Sequence, residues 1–432
     1  MLLINSARDS SRLYNEMEAV VISENTDDDK SKSYEHIEQT VAVSESDYYS
    51  DSAVNYGFTA LDTEAKQELY LKIQDNIYAI TDEPDSNGRY HTARLRVNGS
   101  RITEFDIREV VNAFLYDHPQ VFWIENMYGY AYSGDDTILE LYSVMSAEEC
   151  EKRIEKFNSR MEQILSSVGP GLSEYEREKL VHDLVLKNCS YKKGVQSSDD
   201  GWEYFTAYGA LVSGESVCEG YAKSMQILLS KVGIPCYTIR GEGENVAHIW
   251  NVVYLGGEWY HLDATWDDNE DAISYEYFNI NSEQLLKNHI ISDDIKIVRE
   301  AYNKGEVTEA EKYNFFVPMC TSRVMNYYNC EGCLIERFDT ATDSAMISLL
   351  IRQAKSGAQY VPVRFGCEMS YNDYMTQLFY ESPYKFYYYI DHANEQLDEQ
   401  HRIDKHNVSV LKNEAAMTLR VKIAFTADTA EE

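Results

Sequence analysis

Three side chains in one stretch of the chain are of the types that carry out acyl transfer: Cys218, His248 and Asp263. A cysteine thiolate is a strong nucleophile, an imidazole moves protons near neutral pH, and a carboxylate can hold that imidazole in one tautomer. Such a set attacks a carbonyl carbon and returns a proton to the leaving amine. The residues around each of the three predict how they would meet.

Cys218 is predicted to lie in the first turn of a helix. Ser216 and Glu219 match an S-x-x-E capping box, with Ser216 as N-cap and Glu219 at N3, which puts Cys218 at N2. An apolar helical face follows and ends at Gly233 and Pro235. The free backbone N–H groups and the positive end of the helix dipole would favour a thiolate there. The structural alternative is a small buried apolar residue, as many cysteines are.

His248 and Asp263 are predicted to lie on the two strands of a hairpin. Residues 248–255 and 258–265 flank a glycine pair at 256–257, which is typical of a two-residue turn. That turn predicts these cross-strand pairs: Leu255 with Glu258, Trp250 with Asp263, and His248 with Thr265. His248 and Asp263 would then be diagonal neighbours on one face, about 7–8 Å apart at the backbone, so that the carboxylate can accept the imidazole N–H.

The motifs around these residues resemble those of a known superfamily. G-x-x-V-C-E-G-Y-A, G-I-P-C, A-H-I-W-N and W-Y-H-L-D-A-T-W-D-D are similar to the core of the transglutaminase-like superfamily, and more narrowly to its bacterial transglutaminase-like domain proteins. The resemblance extends over residues 172–286. It implies a papain-like core with Cys218 as nucleophile, His248 as general base and acid, and Asp263 orienting the histidine. The superfamily includes cross-linking enzymes, peptidases, deamidases and inactive members, so its fold says little about the substrate.

The predicted fold class is α+β, with a central papain/transglutaminase-like core flanked by two smaller α/β modules. In the core, a helix carrying the cysteine packs on an antiparallel sheet carrying the histidine and the aspartate. The predicted divisions are a flexible acidic N-terminal arm at 1–55, an N-terminal module at 56–170, the catalytic core at 171–300 and a C-terminal module at 301–432. Predicted helix N-caps are Thr103, Ser146 and Ser173.

The C-terminal module is interpreted as a repeat of the N-terminal one. Residues 105–124 (FDIREVVNAFLYDHPQVFWI) and 371–390 (YNDYMTQLFYESPYKFYYYI) both suggest a helix, a proline and an aromatic strand, which in the second segment is Phe386–Ile390. Chance recurrence of a common local pattern is the alternative. Neither module has a catalytic motif, so both are interpreted as substrate-positioning or interaction domains.

The acidic composition limits the classes of partner. Among 432 residues, 39 Lys and Arg face 73 Asp and Glu, a formal net charge of −34. Phosphate groups would be repelled, which argues against nucleic acid and anionic membranes and favours a basic or neutral polypeptide substrate. The predicted partner is a polypeptide substrate or a cell-wall or surface peptide. No run approaches the roughly 18 apolar residues of a membrane span, and no signal peptide is visible. The resemblance suggests a secreted or cell-surface protein of a bacterium; otherwise the protein would be cytoplasmic.

No cofactor and no metal are predicted. Cys330 and Cys333 form a C-x-x-C that could bind zinc with Cys320 and Cys367, but the usual second C-x-x-C is missing. Structural thiols or a disulfide are therefore favoured. The remaining histidines near the core are interpreted as structural: His182, His261 and His289.

The predicted function is a cysteine-dependent acyl-transfer enzyme acting on peptide or glutamine amide bonds, either a protease or amidase, or a transglutaminase. The backbone N–H of Cys218 would supply one oxyanion donor, and Tyr208 or Trp202 would supply the second. The alternative is a catalytically inactive transglutaminase-like module that binds peptide or glycan at the cell surface. Hydrolysis versus amine transfer, the natural substrate and the oligomeric state are left open by the sequence.

Overall fold

Helices and strands are interleaved along the chain in this computed structural model, so the protein has a mixed helix-and-sheet fold. The residues described are 18–21, 54–195, 201–269, 273–292, 295–300, 306–311, 314–366, 370–414 and 416–426. They fall into two units, one within 1–274 and 285–321 and the other within 275–284 and 322–432. No helix in these described ranges is both long enough and apolar enough to cross a membrane.

The first unit contains β1 to β13 and α1 to α7. The strands are β1 (Glu18–Val21), β2 (Tyr90–His91), β3 (Leu95–Val97), β4 (Ile124–Ser133), β5 (Asp136–Ser143), β6 (Ser190–Tyr191), β7 (Glu215–Ser216), β8 (Cys236–Gly243), β9 (Val246–Leu255), β10 (Glu258–Leu262), β11 (His289–Ile291), β12 (Ile295–Glu300) and β13 (Glu306–Glu311). The helices are α1 (Tyr56–Ala60), α2 (Glu64–Asn76), α3 (Glu104–Asp117), α4 (Ala147–Leu165), α5 (Glu174–Asn188), α6 (Cys218–Lys231) and α7 (Ala264–Asp267).

The N-terminal part of this unit is a sheet in the order β1-β4-β5-β2, with β3 also paired to β5. The predicted caps are confirmed, because the side chains of Thr103, Ser146 and Ser173 each accept a backbone N–H at the start of α3, α4 and α5. Most of the predicted arm at 1–55 lies outside the described residues, although β1 pairs in parallel with β4. The predicted boundaries at 56–170 and 171–300 stay predictions.

His248 lies on a second sheet of the same unit, Cys218 begins the helix beside that sheet, and Asp263 directly follows one of its strands. This sheet is antiparallel and has the order β10-β9-β8-β11. Helix α6 packs against β8 and β9. Its buried face includes Tyr221, Met225 and Leu228, which have no more than 1% of their surface exposed. Burial of this apolar face fixes the start of α6 relative to the sheet.

The second unit contains α8 except for its last residue, helices α9 to α12 and strands β14 to β17. Its helices are α8 (Ser282–Leu285), α9 (Tyr327–Cys330), α10 (Thr340–Lys355), α11 (Tyr371–Met375) and α12 (Lys385–Asn394), and a π-helical turn (Thr376–Tyr380) extends α11. Its strands are β14 (Cys333–Ile335), β15 (Tyr360–Phe365), β16 (Ile403–Asn413) and β17 (Thr418–Phe425), in the sheet order β14-β15-β17-β16. Helices α10 and α12 pack together.

The strand predicted at Phe386–Ile390 is wrong, because these residues lie within α12. Phe386, Tyr389, Ile390 and Ala393 are buried at the i, i+3, i+4, i+7 spacing of a helix. Aromatic residues favour strands in isolation, but packing decides the outcome where both patterns fit. The likeness between the two modules therefore ends at the proline, since β4 rather than a helix follows α3.

Candidate active site

Cys218 is the first residue of α6, at N1 rather than at the predicted N2. The N-cap is Val217, whose backbone is extended and whose side chain offers no cap bond. The Ser216 hydroxyl instead donates to the backbone oxygens of Tyr204 at 2.7 Å and Val217 at 2.9 Å. The predicted capping box is therefore wrong. The half-buried Cys218 still lies where helix N–H groups are unpaired within the helix.

Glu219, the other half of the predicted box, forms ion pairs instead. Its Oε1 lies 2.9 Å from Lys223 Nζ and 3.3 Å from Arg240 Nη2. Burial acts to raise the pKa of Glu219, but Lys223 and Arg240 outweigh it and hold the pKa below its ordinary value. A buried carboxylate paired with two cations thus adjoins Cys218 along the chain.

The glycine of the C-E-G motif has a packing cause. A Cβ on Gly220 would lie 1.9 Å from Ser216 Oγ and 2.5 Å from the backbone oxygen of Thr206. Any side chain there would push α6 away from the segment that leads into it. Gly220 therefore keeps the start of the helix, and with it Cys218, against that segment.

The predicted hairpin forms, and its register is confirmed at the turn. Gly256 and Gly257 both have positive φ (56° and 88°), as a type I′ turn requires, and Leu255 pairs with Glu258. Strand β10 ends at Leu262, opposite Asn251. The predicted pairs of Trp250 with Asp263 and of His248 with Thr265 are therefore wrong, because the chain turns into α7 at that point.

Asp263 is the N-cap of α7. Its Oδ1 accepts the backbone N–H groups of Thr265 at 3.0 Å and Trp266 at 3.1 Å. This leaves Oδ2 facing the sheet, where it lies 2.7 Å from His248 Nε2. Asp263 is fully buried, and His248 is 7% exposed. The carboxylate thus meets the imidazole from a helix cap rather than from the neighbouring strand.

The structure brings Cys218, His248 and Asp263 together. The Cys218 sulfur lies within hydrogen-bonding reach of the His248 imidazole. Burial acts to lower the pKa of His248, but Asp263 and Cys218 outweigh it and raise the pKa from 6.5 to about 10. Burial acts to raise the pKa of Asp263, but the imidazoles beside it hold the pKa well below its usual range. The arrangement therefore favours an imidazolium beside the Asp263 carboxylate.

A further histidine, His289, contacts the same carboxylate, which the sequence did not predict. Its Nε2 lies 3.2 Å from Asp263 Oδ2, and its Nδ1 lies 2.8 Å from the side-chain oxygen of Asn288. His289 is on β11, 26 residues beyond Asp263. No hairpin count or helical spacing links residues so far apart, so only a prediction of strand pairing across the sheet could have found it.

Two other buried histidines, His182 and His261, lie near the site. His182 on α5 lies 3.3 Å from Asp267 and 3.2 Å from Asp183, and these carboxylates outweigh burial and raise its pKa to about 9. Asp267 ends α7, so this contact ties α7, and the cap that Asp263 forms, to α5. The Trp250 indole donates to His261 at 3.3 Å within the sheet.

A cavity of about 1170 Å³ opens onto Cys218 and His248. Tyr191 lines it from β6, which pairs in parallel with β7 so that Tyr191 lies opposite Ser216, two residues before Cys218. Burial and the negative charges of Cys218 and Asp263 raise the pKa of Tyr191. The phenol therefore keeps its proton and is a hydrogen-bond donor on the cavity wall.

Tyr208 and Trp202, the predicted candidates for the second oxyanion donor, lie elsewhere. The Tyr208 ring packs 4.8 Å from Phe122 and 6.3 Å from Phe157. The Arg153 guanidinium lies 5.4 Å from the Tyr208 ring and 5.5 Å from the Trp202 ring. Neither residue is among those that line the cavity. The segment that carries them faces α4, so the structure does not bring either side chain to Cys218.

Ligand atoms of His248, Asp263 and His289 all lie within 4.8 Å of one another, a spacing at which three such groups could hold a metal ion. The imidazole nitrogens lie 2.7 and 3.2 Å from the carboxylate oxygen, however, which are lengths of direct hydrogen bonds. The geometry is thus that of a proton-sharing cluster. Cys333 is a free thiol, and Cys367, the other outlying cysteine considered as a zinc ligand, lies outside the described residues.

Comparison with known proteins places a family match over this site. Residues 162–264 match the family model described as the Transglutaminase-like superfamily. Kyphoscoliosis peptidase of Mus musculus is 24% identical over 106 residues (22% of this chain, 16% of that protein), and the Homo sapiens protein is 22% identical over 130 residues (27% and 20%). The matched segments span a fifth or less of those relatives.

A solved structure described as a TGase aligns at 13% identity with a TM-score of 0.26, covering 50% of this chain and 60% of its own. Residues 162–264 of this chain therefore carry a transglutaminase-like superfamily domain.

Proposed function

We propose that the protein is a cysteine-dependent acyl-transfer enzyme that acts on peptide or glutamine amide bonds. The observation that carries this proposal is the line of contacts from Cys218 through His248 to Asp263, which ends in a 2.7 Å hydrogen bond. Burying an imidazolium and a carboxylate lowers the stability of the folded protein unless the two are paired. Here they are paired, beside a thiol that lines an open cavity.

The atoms of the triad have separate parts in the reaction. His248 Nε2 bonds Asp263, so Nδ1 is the nitrogen that exchanges a proton with Cys218. The thiolate attacks the carbonyl carbon, and a C–S bond forms while the carbonyl oxygen becomes an oxyanion. The imidazolium then gives its proton to the amine nitrogen as the C–N bond breaks. Water or a second amine releases the acyl group from the thioester and restores the thiol.

The oxyanion needs donors that are in place before it forms. The backbone N–H of Cys218 is one, since the first N–H groups of a helix have no partner within it. The Tyr191 phenol is the second in our proposal, in place of Tyr208 and Trp202, because it lines the cavity beside Cys218 and keeps its proton.

The direct test is the reactivity of the Cys218 thiol. Iodoacetamide at about pH 6 is expected to alkylate Cys218 faster than a free cysteine, because an imidazolium-paired thiolate persists where a free thiol is protonated. His248→Ala should lose this excess reactivity. Cys333 in the second unit provides the internal comparison, since burial raises the pKa of its thiol to about 11.

The reaction class is tested by mass spectrometry of a peptide library incubated with and without a primary amine. Cleavage, deamidation and amine incorporation change the peptide mass differently, and Cys218→Ala should abolish whichever change occurs. Ordinary thiol reactivity together with no change in mass would contradict the proposal. Peptide or glycan binding under those conditions would support the inactive-module alternative instead.

A further inference from the structure

We propose that His289 is a positioning residue of this site, whose Nε2–H holds the Asp263 carboxylate toward His248. The inference rests on the proposed function of Cys218, His248 and Asp263. His289 itself lies beyond the stretch that matches the transglutaminase-like family, which ends at residue 264. The sheet nevertheless brings its imidazole to the carboxylate that orients the general base.

The carboxylate has donors on both of its oxygens. Oδ1 accepts the backbone N–H groups of Thr265 and Trp266, while Oδ2 accepts from His248 at 2.7 Å and from His289 at 3.2 Å. Because Asp263 is fully buried, each lost donor leaves the anion less well solvated. Without His289, Oδ2 would depend on His248 alone, and His248 must change its protonation state during the reaction.

His289 is fixed by backbone pairing. Strand β11 pairs with β8 so that His289 lies opposite Gly243 and Ile291 lies opposite Gly241. A Cβ on Gly241 would be 2.0 Å from the backbone oxygen of Ile290, and one on Gly243 would be 2.8 Å from the Trp266 ring. Glycine at both positions therefore allows β11 to approach β8 and leaves room for the tryptophan.

The imidazole is also held by packing. Its ring lies 4.3 Å from the Trp266 ring and 5.1 Å from the Trp250 ring, and 1% of the residue is exposed. Trp266 follows Asp263 by three residues and donates its own backbone N–H to that carboxylate. The Trp266 indole thus contacts His289 and belongs to the helical turn that Asp263 caps. This packing restricts the movement of the His289 imidazole and of the Asp263 carboxylate.

The protonation of His289 follows from its partners. A carboxylate only accepts, so the Nε2 atom facing Asp263 carries a hydrogen. Nδ1 faces the Asn288 side-chain amide, which serves as a partner for either protonation state of that nitrogen. The titratable groups around Oδ2 are His248 and His289, with Cys218 and Tyr191 beyond His248 and His261 beyond Trp250.

The test compares His289→Leu, which removes the donor, with His289→Gln, which keeps an N–H donor. His289→Leu is expected to lower kcat about tenfold with KM nearly unchanged, as for loss of one buried charged hydrogen bond, and to reduce Cys218 alkylation at about pH 6. His289→Gln should restore most of both. His261→Leu is the matched control, because it removes a buried imidazole from the same sheet; it should lower stability but leave the alkylation profile over pH unchanged.

The outcomes separate this inference from the proposed function. If Cys218 in the wild type reacts like a free thiol, the proposed function fails first. If the wild type is activated and a folded His289→Leu keeps the same kcat and alkylation profile, the inference is overturned and the proposed function stands. The inference is also overturned if His289→Gln is no better than His289→Leu.

A second measurement covers the case in which His289→Leu does not fold. In ¹⁵N-histidine NMR of the wild type, His289 should show a protonated Nε2 whose hydrogen is shifted downfield and exchanges slowly. This resonance should be absent from His289→Gln. An unprotonated Nε2 in the wild type would overturn the inference by itself.

Discussion

The site-bearing sheet of the first unit and the sheet of the second unit bury different kinds of side chain. The first buries three imidazoles and an amide, with a buried carboxylate directly after β10: His248, His261, His289, Asn251 and Asp263. The second buries the cationic side chains of Arg364 and Arg420, and an apolar cluster covers it that includes Met346, Leu350, Val361, Phe386 and Ile390. Burying charge costs free energy and burying apolar surface gains it, so the two sheets differ in what they contribute to the fold.

The contrast indicates that the first sheet carries the reactive groups and that the apolar cluster of the second unit contributes mainly to stability. Buried charged groups that merely completed a core could be replaced by apolar residues at little cost. A pair such as His248 and Asp263 is explained better by reactivity than by stability. Substitutions in the first sheet should therefore change rates, and substitutions in the apolar cluster should change the free energy of unfolding.

Asp263→Asn is expected to have the largest effect on the rate. An amide carries no charge and presents an N–H group to His248, which favours the wrong tautomer, so kcat should fall by about 10³- to 10⁴-fold. Steady-state kinetics on the substrate found by mass spectrometry measures the loss. Asp117→Asn is the matched control, since Asp117 is a buried carboxylate that accepts the backbone N–H groups of Gly57 and Phe58 away from the cavity. It should leave Cys218 alkylation unchanged.

The same variant should also change how stability depends on pH. The pKa of His248 is raised from 6.5 to about 10 in the folded protein, so its stabilising contribution is complete below pH 6.5 and is lost as pH rises through about 10. Because the pKa of Asp263 lies below that pH range, Asp263 contributes a constant amount to the free energy of unfolding throughout it. The difference in unfolding free energy between wild type and Asp263→Asn should therefore narrow from pH 6.5 to 10 in urea titrations. A difference that stays constant or widens would contradict the coupling of the two groups.

Tyr191→Phe is expected to have the next largest effect on the rate. Loss of one oxyanion donor should lower kcat by about 100-fold and leave KM nearly unchanged, because the bond strengthens only as the oxyanion forms. Cys218 alkylation should not change, since it involves no oxyanion. Tyr254→Phe on β9 is the control, as this tyrosine is exposed and is not among the residues that line the cavity. Equal kcat in the two variants would remove Tyr191 from the mechanism.

The parts of the site that short sequence motifs determine could be predicted from the sequence, and the other parts could not. The glycine pair at 256–257 determined the turn and the register from Leu255 to Leu262. Beyond Leu262 the prediction failed because Asp263 acts as a helix cap, a role that aspartate favours and that the strand pattern concealed. His248 and Asp263 still meet, since a cap directly after the strand brings the carboxylate to the same edge of the sheet.

The pairing of strands that are far apart in the chain could not be predicted from the sequence. His289 reaches Asp263 because β11 joins β8, and that pairing depends on space left by Gly241 and Gly243 rather than on any local motif. The second unit shows the same limit, since FYYYI favours a strand locally and is helical where α12 packs on α10. Single-sequence patterns predict turns and caps, whereas which surface an element covers depends on the whole fold.

Ile390→Ala should separate stability from chemistry. Ile390 is fully buried on α12 within the apolar cluster, so its truncation leaves a cavity and should lower the unfolding free energy by about 2–5 kcal/mol. The surface variant Tyr387→Ala on the same helix should cost far less, because that side chain is partly exposed. Below the unfolding transition, Cys218 should be alkylated at the wild-type rate in both variants. Slower alkylation in a folded Ile390→Ala would show that the apolar cluster also supports the chemistry, and the contrast between the two sheets would fail.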